Sequence, residues 1–255
     1  DGYKPEYLVA TGVCIQKDDG TLVDKFRERA MFPIHTVSGR IIGFGGRTLR
    51  SDYKERNIGK YVNSPQTEVY DKKTTLYGIY FAKSEIARRD RCILVEGYLD
   101  VLSMHQLGIT NVVASSGTSL TVEQVSLIRK FTENVTIMYD GDAAGIHAAE
   151  RGIGLCLKGG LNVRVVLIPD GDDPDSFARK HTLEEVKSFI EENERDFISY
   201  RTDQLIGDAG SDPVRRSNLV NEIAGTLALI PDQVKRAMYV QDVSPKFNID
   251  ESLVY

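Results

Sequence analysis

The 255-residue sequence predicts an α/β fold: a parallel-sheet domain flanked by an N-terminal α+β lobe and a C-terminal helical subdomain. Three observations carry that prediction. Between residues 91 and 182, four short apolar runs alternate with helix-length segments; residues 1–90 are glycine-punctuated and basic; beyond about Leu183 strand-like runs disappear. The boundaries expected are therefore 1–90, 91–182 and 183–255.

In the first lobe, "MFPIHTVSGRIIGFGGRTL" places a Ser-Gly turn between two apolar stretches, which predicts an antiparallel hairpin. Gly43, Gly45 and Gly46 suit a bend or a close approach of backbone to a ligand. In the second region the apolar runs are Cys92–Val95, Val112–Ala114, Val135–Tyr139 and Val163–Ile168. "GYLDVLSMHQLG", "TVEQVSLIRKF" and "AAGIHAAERGIGLCLKGG" lie between them, the last with Ile146, Ala149, Ile153 and Leu157 at helical spacing. Such alternation predicts right-handed βαβ units and helices on the faces of a parallel sheet. The last region reads as helices around "GDAGSDP", residues 207–213.

The net charge of −5 hides an asymmetry: +4 over residues 1–90, −4 over 91–184 and −5 over 185–255. Residues 25–60 alone hold nine cations (Lys25, Arg27, Arg29, Arg40, Arg47, Arg50, Lys54, Arg56, Lys60) against Glu28, Asp52 and Glu55. Either a solvated loop region or a footprint for a polyanion has that composition. Cys14, Cys92 and Cys156 show no CxxC spacing and the four histidines are scattered, which argues against a disulfide framework or a zinc ribbon and predicts buried, reduced thiols. No apolar run approaches the roughly 20 residues of a membrane span, and the start has no signal-like pattern, so a cytoplasmic protein without membrane contact is expected.

Three of the four apolar runs end in acid. "LVEGYLD" carries Glu96 and Asp100, "MYDGDAAG" carries Asp140 and Asp142, and "LIPDGDDPDSF" carries Asp170, Asp172, Asp173 and Asp175. In open parallel sheets the carboxyl ends of the strands form the ligand crevice, so the clusters are expected to converge. Two carboxylates about 4 Å apart repel by roughly 4 kcal/mol at an effective dielectric near 20. Helix capping can explain single residues, such as Asp142 before Ala143 or Asp173 before Pro174, but each of these exits carries at least two acids. A set of oxygen donors with no nearby His or thiolate selects Mg²⁺ or Mn²⁺. A calcium loop fails, because Pro174 and Asp175 stand where an EF-hand needs an oxygen ligand and a glycine. An Asp-x-Asp phosphatase stays open on these residues alone.

"VEGYLDV", "YDGDAAG" and "DGDDPD" resemble the three acidic motifs of the Toprim domain, and "FRERAMFPI", "GRIIGFGGR", "KYVNSPQTEVYDK" and "LYGIYFAK" are similar in order and spacing to the catalytic core of bacterial replicative (DnaG-type) primases. The match runs from about Phe26 to about Lys180. The resemblance implies a nucleotidyltransferase, a DNA-directed RNA polymerase that makes short RNA primers on single-stranded DNA during replication, with a ribonucleotide 3′-OH attacking the α-phosphate of an incoming NTP. It implies Glu96, Asp140 and Asp142 as catalytic residues. It further implies Glu96, Asp100, Asp140, Asp142, Asp173 and Asp175 as ligands of Mg²⁺ or Mn²⁺, two or more ions with nucleotide, with Glu96 assignable to metal or to acid/base work. Arg27, Arg29, Arg40, Arg47, Lys60, Asn63 and Lys72 would handle template and nucleotide phosphates.

The same resemblance implies an RNA–DNA hybrid product and a monomer working within the primosome, without zinc in this region. It leads one to expect that a zinc-binding domain precedes residue 1, and that the domain that meets the replicative helicase is absent, lying beyond residue 255. A Toprim-type metal-dependent nuclease is the alternative; it would share the carboxylates but has no need of "FRERAMFPI" or "KYVNSP". A non-enzymatic adaptor whose acids only cap helices is the third reading. A topoisomerase would need a separate domain for its nucleophilic tyrosine.

Overall fold

The computed structural model describes residues 2–115, 119–140, 143–169, 171–209 and 212–254, with side chains described outside 139–149 and 208–209. Proline at the first turn opens α1 (Pro5–Ala10), and β1 (Cys14–Gln16) pairs antiparallel with β2 (Leu22–Asp24). The predicted hairpin is β3 (Arg29–His35) and β4 (Ile41–Thr48), extended by β5 (Tyr61–Asn63) into an antiparallel sheet of order β3-β4-β5. Its turn is closed by Thr36 N–H donating to Arg40 O at 2.8 Å, with Gly39 at φ +94°, where a side chain would be strained.

The glycines of β4 serve a purpose different from the one expected. A Cβ on Gly45 would stand 2.6 Å from the Tyr98 ring, and one on Gly46 2.8 Å from Phe26; at Gly43 the Tyr70 ring lies 3.2 Å away. Aromatic side chains, not a ligand, occupy the space that the missing side chains leave.

The second layer begins with α2 (Ile79–Arg89) and continues β6 (Cys92–Val95), α3 (Tyr98–Leu107), β7 (Val112–Ala114), α4 (Val122–Arg129), β8 (Asn134–Asp140), α5 (Ala143–Lys158), β9 (Asn162–Ile168), α6 (Pro174–Lys180) and α7 (Leu183–Asn193). β6, β7, β8 and β9 are parallel, and every residue of β6 and β7 is buried, as strands covered on both faces must be. The strand order is β10-β9-β8-β6-β7, where β10 (Arg195–Asp196) runs antiparallel to β9. That edge strand corrects the expectation that strands end near Leu183: two residues carry too little pattern to be read, and they pair because Glu194 beside them is anchored to Arg164 at 3.2 Å and to Thr136.

The chain leaves β6 towards β7 on one side and returns to β8 on the other. The topological switch point therefore lies at the carboxyl ends of β6 and β8.

Three helices follow: α8 (Phe197–Ala209), α9 (Pro213–Leu227) and α10 (Gln233–Phe247). Ile198, Leu205, Ile223, Leu227, Val240, Val243 and Phe247 share one hydrophobic cluster with Val135, Ile137, Val163 and Val165 of the sheet. A polar ladder seals the seam: Lys235 Nζ donates to Asn162 Oδ1 (2.6 Å), Asn162 Nδ2 to Asn134 Oδ1 (2.8 Å) and Asn134 Nδ2 to Asp90 O (3.0 Å). Cys92 and Cys156 are buried as expected, with burial pushing the Cys156 thiol up to about 12, whereas Cys14 is only half-buried. Among the described residues no helix is long and apolar enough to cross a membrane.

Candidate active site

Where β6 ends, Glu96 is exposed and the extended Gly97 turns the chain into α3. Asp100 is buried on the first turn of that helix, and both of its oxygens receive backbone N–H groups: Oδ2 from Gly97 at 2.8 Å and Oδ1 from Asp175 at 3.2 Å. Asp100 thus ties the β6 exit to α6. A carboxylate at this position favours the positive N-terminal end of α3 as well.

The acidic stretch after β9 is organised residue by residue. Asp172 accepts both hydrogen bonds of Lys180 Nζ (2.6 and 2.8 Å) and one from Ser176 Oγ (2.9 Å), and the ammonium first, then the hydroxyl, hold its carboxyl below the usual range. Asp173 caps α6 by accepting Ser176 N–H at 2.7 Å, with Pro174 in the first turn. Asp175 pairs with Arg179 at 2.8 Å and accepts Ser103 Oγ–H. The repulsion expected among these acids is offset by protein donors, three of them outside the cluster's own loop. Asp170 and Asp142 lie outside the described residues, as does the Asp140 side chain; the Asp140 backbone ends β8, paired with Ile168.

The basic residues divide by strand register. Cross-strand pairing puts Phe32, Gly45, Arg47, Tyr61 and Asn63 on one face of the antiparallel sheet. Tyr98 packs on this face, stacked on Phe32 (ring centroids 5.1 Å, planes 4° apart), edge-on to Tyr77 (4.6 Å), and with its hydroxyl donating to Asn63 Oδ1 at 2.8 Å. Tyr61 lies at 6.3 Å from the same ring, and its phenol is pushed up by burial first and by the charges of Asp100, Asp175 and Asp173, against the pull of Arg47. Arg47, Tyr61 and Asn63 therefore look across at the acidic rim. Lys60 flanks them, its Nζ 5.9 Å from the Tyr61 ring centroid.

Arg29 is not brought to this face. It pairs with Thr48 on the opposite one, where Nη1 donates to Gly46 O (3.2 Å) and Lys60 O (3.3 Å). Arg40 sits at the far end of β4, about 23 Å of strand from Arg47. Arg27 is exposed just ahead of β3, and Lys72 is half-buried in a loop whose carbonyls are held by Gln124 Nε2 (3.2 Å to Lys72 O, 2.7 Å to Thr75 O). Arg50 and Arg56 pair with Asp52 (2.9 and 2.8 Å), and Arg50 also with Glu28 (3.0 Å). Arg27, Arg40, Arg47 and Lys60 have no carboxylate partner among the described residues.

Among the described residues no three His, Cys, Asp or Glu side chains stand together as an ion site. The softer donors are engaged elsewhere: Cys92 and Cys156 in the core, His105 Nε2 on Val112 O and His181 Nδ1 on Phe177 O, both at 2.9 Å. What the strand exits of β6, β8 and β9 offer is oxygen, the donor chemistry that fits a hard divalent ion.

Residues 1–83 match the family model described as "DNA primase catalytic core, N-terminal domain", 93–178 the one described as "Toprim-like", and 198–252 the "DnaB-helicase binding domain of primase". A crystal structure of a DNA primase domain from Pseudomonas aeruginosa superposes with a TM-score of 0.87 at 32% identity, over 98% of this chain and 78% of that one. The chain belongs to the DnaG-type bacterial primase family. A DnaG catalytic domain solved bound to single-stranded DNA is similar at 35% identity and a TM-score of 0.86, over 98% of this chain and 79% of that chain. The DNA primase of Clostridium acetobutylicum is 38% identical over 100% of this chain and 41% of its own length, so the chain spans about two fifths of such curated relatives.

The match over 198–252 corrects the expectation that the helicase-binding domain is absent from these residues. The reason is physical. The apolar faces of α8, α9 and α10 are buried on the parallel sheet with no linker between, so in sequence they read as a tail of the preceding domain. Tyr98 stands between the acids of "VEGYLDV" and carries no signal of its own there; the sequence sign of its packing is the glycines of "GFGG", of which Gly45 faces its ring.

Proposed function

We propose that this chain carries out template-directed synthesis of short RNA primers on single-stranded DNA by metal-dependent ribonucleotidyl transfer. The observation that carries the reading is the placement of the Arg47–Tyr61–Asn63 face against the acidic rim at the switch point, because phosphoryl transfer needs a polyanion delivered to clustered carboxylates. Asp140 and Asp142 would hold Mg²⁺ or Mn²⁺, with Glu96, Asp100, Asp173 and Asp175 as further members of the oxygen set; bound ions would neutralise charge on the attacking and leaving oxygens. Glu96, exposed at the end of β6, would either join the metal ligands or accept the proton of the attacking ribose hydroxyl. Arg47, Lys60, Asn63 and Lys72 orient template and nucleotide phosphates, Tyr61 offers a ring for a base to stack on, and Arg27, Arg29 and Arg40 extend the electrostatic footprint.

In this reading 1–90 is the basic lobe, 91–182 the catalytic domain and 183–255 a helical unit, within which 198–252 meets the replicative helicase. The molecule works as a cytoplasmic monomer on template, NTPs and the growing RNA–DNA hybrid. The test is incorporation of labelled ribonucleotide on single-stranded DNA with Mg²⁺ or Mn²⁺. Template-dependent RNA that disappears with Glu96→Gln and Asp140→Asn is the expected result. Metal-dependent DNA cleavage without synthesis would replace polymerase with nuclease.

A further inference from the structure

Tyr98 occupies a place that neither acid/base nor metal chemistry explains. It is the first residue of α3, two positions after Glu96, yet its ring and hydroxyl belong to the other lobe. The ring lies where a Cβ of Gly45 would be (2.6 Å), stacks on Phe32 and meets Tyr77 edge-on; the hydroxyl donates to Asn63 Oδ1 at 2.8 Å. Asn63 Oδ1 is thereby engaged, and Asn63 Nδ2 makes no hydrogen bond with the described residues. An amide with its oxygen fixed has its two N–H donors fixed as well, since the two ends are set by one torsion.

We propose that Tyr98 is a positioning residue of the primase reaction: its hydroxyl sets the orientation of the Asn63 amide so that Nδ2 donates to the incoming nucleotide. The residue acts through Asn63 and not on the reacting atoms. The packing on Gly45 and Phe32 supplies the rigidity, because a ring enclosed on both sides cannot carry its hydroxyl away from β5. The same contact makes the distance between the β6 exit and β5 a property of one side chain, so nucleotide contacts on the basic face keep register with Glu96. This inference rests on the primase reading, and its test separates the two.

The experiment measures steady-state ribonucleotide incorporation by the full chain for wild type, Tyr98→Phe, Asn63→Asp, Asn63→Ala and Tyr98→Phe/Asn63→Ala, with thermal midpoints recorded for each. Tyr98→Phe keeps the ring packing and removes one hydroxyl; the KM for NTP is expected to rise about tenfold while kcat stays within about twofold. Asn63→Asp keeps an acceptor for Tyr98 but loses the donor, and is expected to raise KM at least as much. In the Asn63→Ala background Tyr98→Phe is expected to change KM no further, because the group it orients is gone. A KM unchanged in Tyr98→Phe, or an equal penalty in both backgrounds, would overturn the positioning role and leave Tyr98 as packing. A wild type without synthesis would sink the primase reading itself, on which this one stands.

Discussion

The two sides of the crevice treat charge in opposite ways. On the acidic side, described carboxylates are held by the chain's own donors: Asp100 by the N–H groups of Gly97 and Asp175, Asp172 by Lys180, Asp173 by Ser176, Asp175 by Arg179. On the basic side, Arg27, Arg40, Arg47 and Lys60 reach outward without a carboxylate among the described residues. Fixed acids and unneutralised cations are what a crevice needs if the acids organise the reacting centre and the cations await a polyanion. The difference also shows how the three described aspartates of that loop are partnered within the chain: by the Ser176 N–H at a helix N-terminus, by the hydroxyls of Ser176 and Ser103, and by two cations, Lys180 and Arg179.

The largest effect expected from breaking this contrast is at the exposed acid. Glu96→Gln should lower ribonucleotide incorporation by about 10²- to 10⁴-fold, the range of a lost acid/base group, while its thermal midpoint stays near wild type because the side chain is exposed. A large drop in stability would instead make Glu96 structural.

Next in size is the contact that joins the two sides. Gly45→Ala places a methyl 2.6 Å from the Tyr98 ring and should cost about 1–3 kcal/mol of stability. Denaturant unfolding of the variant measures it, and the double variant Gly45→Ala/Tyr98→Ala should recover part of the loss if the clash is the cause.

A smaller effect is expected on the basic side. Lys60→Ala should weaken single-stranded DNA binding by a few-fold regardless of sequence, and should reduce the slope of log K against log salt by about 0.7 if it meets one phosphate. An unchanged slope would remove Lys60 from the footprint.

The smallest concerns Asp172. Lys180 keeps its folded carboxyl below the ordinary range, so the stability it contributes is complete above that range and is lost as pH falls through the lowered value. Lys180→Met should therefore lower stability slightly at neutral pH, as expected for a partner that is largely exposed, with the deficit shrinking to nothing as pH falls through the lowered value. Denaturant unfolding followed by circular dichroism at neutral and at acid pH reads the difference.

Much of this was open to reading in the residues. The hairpin around Ser38–Gly39 and the parallel strands β6 to β9 follow from periodicity and turn chemistry that are local in the chain. The short β5 and the two-residue β10 were not readable, since neither contains a period; each forms only because a neighbouring strand presents unpaired backbone groups. The candidate site divides likewise. The carboxylates at strand exits are a sequence pattern, whereas the split of the basic set, with Arg47 facing the rim and Arg29 bonded to carbonyls behind it, depends on strand register.

The sequence by itself determined the chemistry on offer, hard oxygen donors beside a basic lobe, and the order of elements that carries it, because residue type and spacing act over a few positions. Only the tertiary structure decided which acids are taken by helix ends, that Tyr98 of the acidic lobe docks on Gly45 and holds Asn63, and that the last three helices close over the sheet. Those outcomes rest on contacts between residues tens of positions apart, whose free energy exists only once both partners are buried against each other.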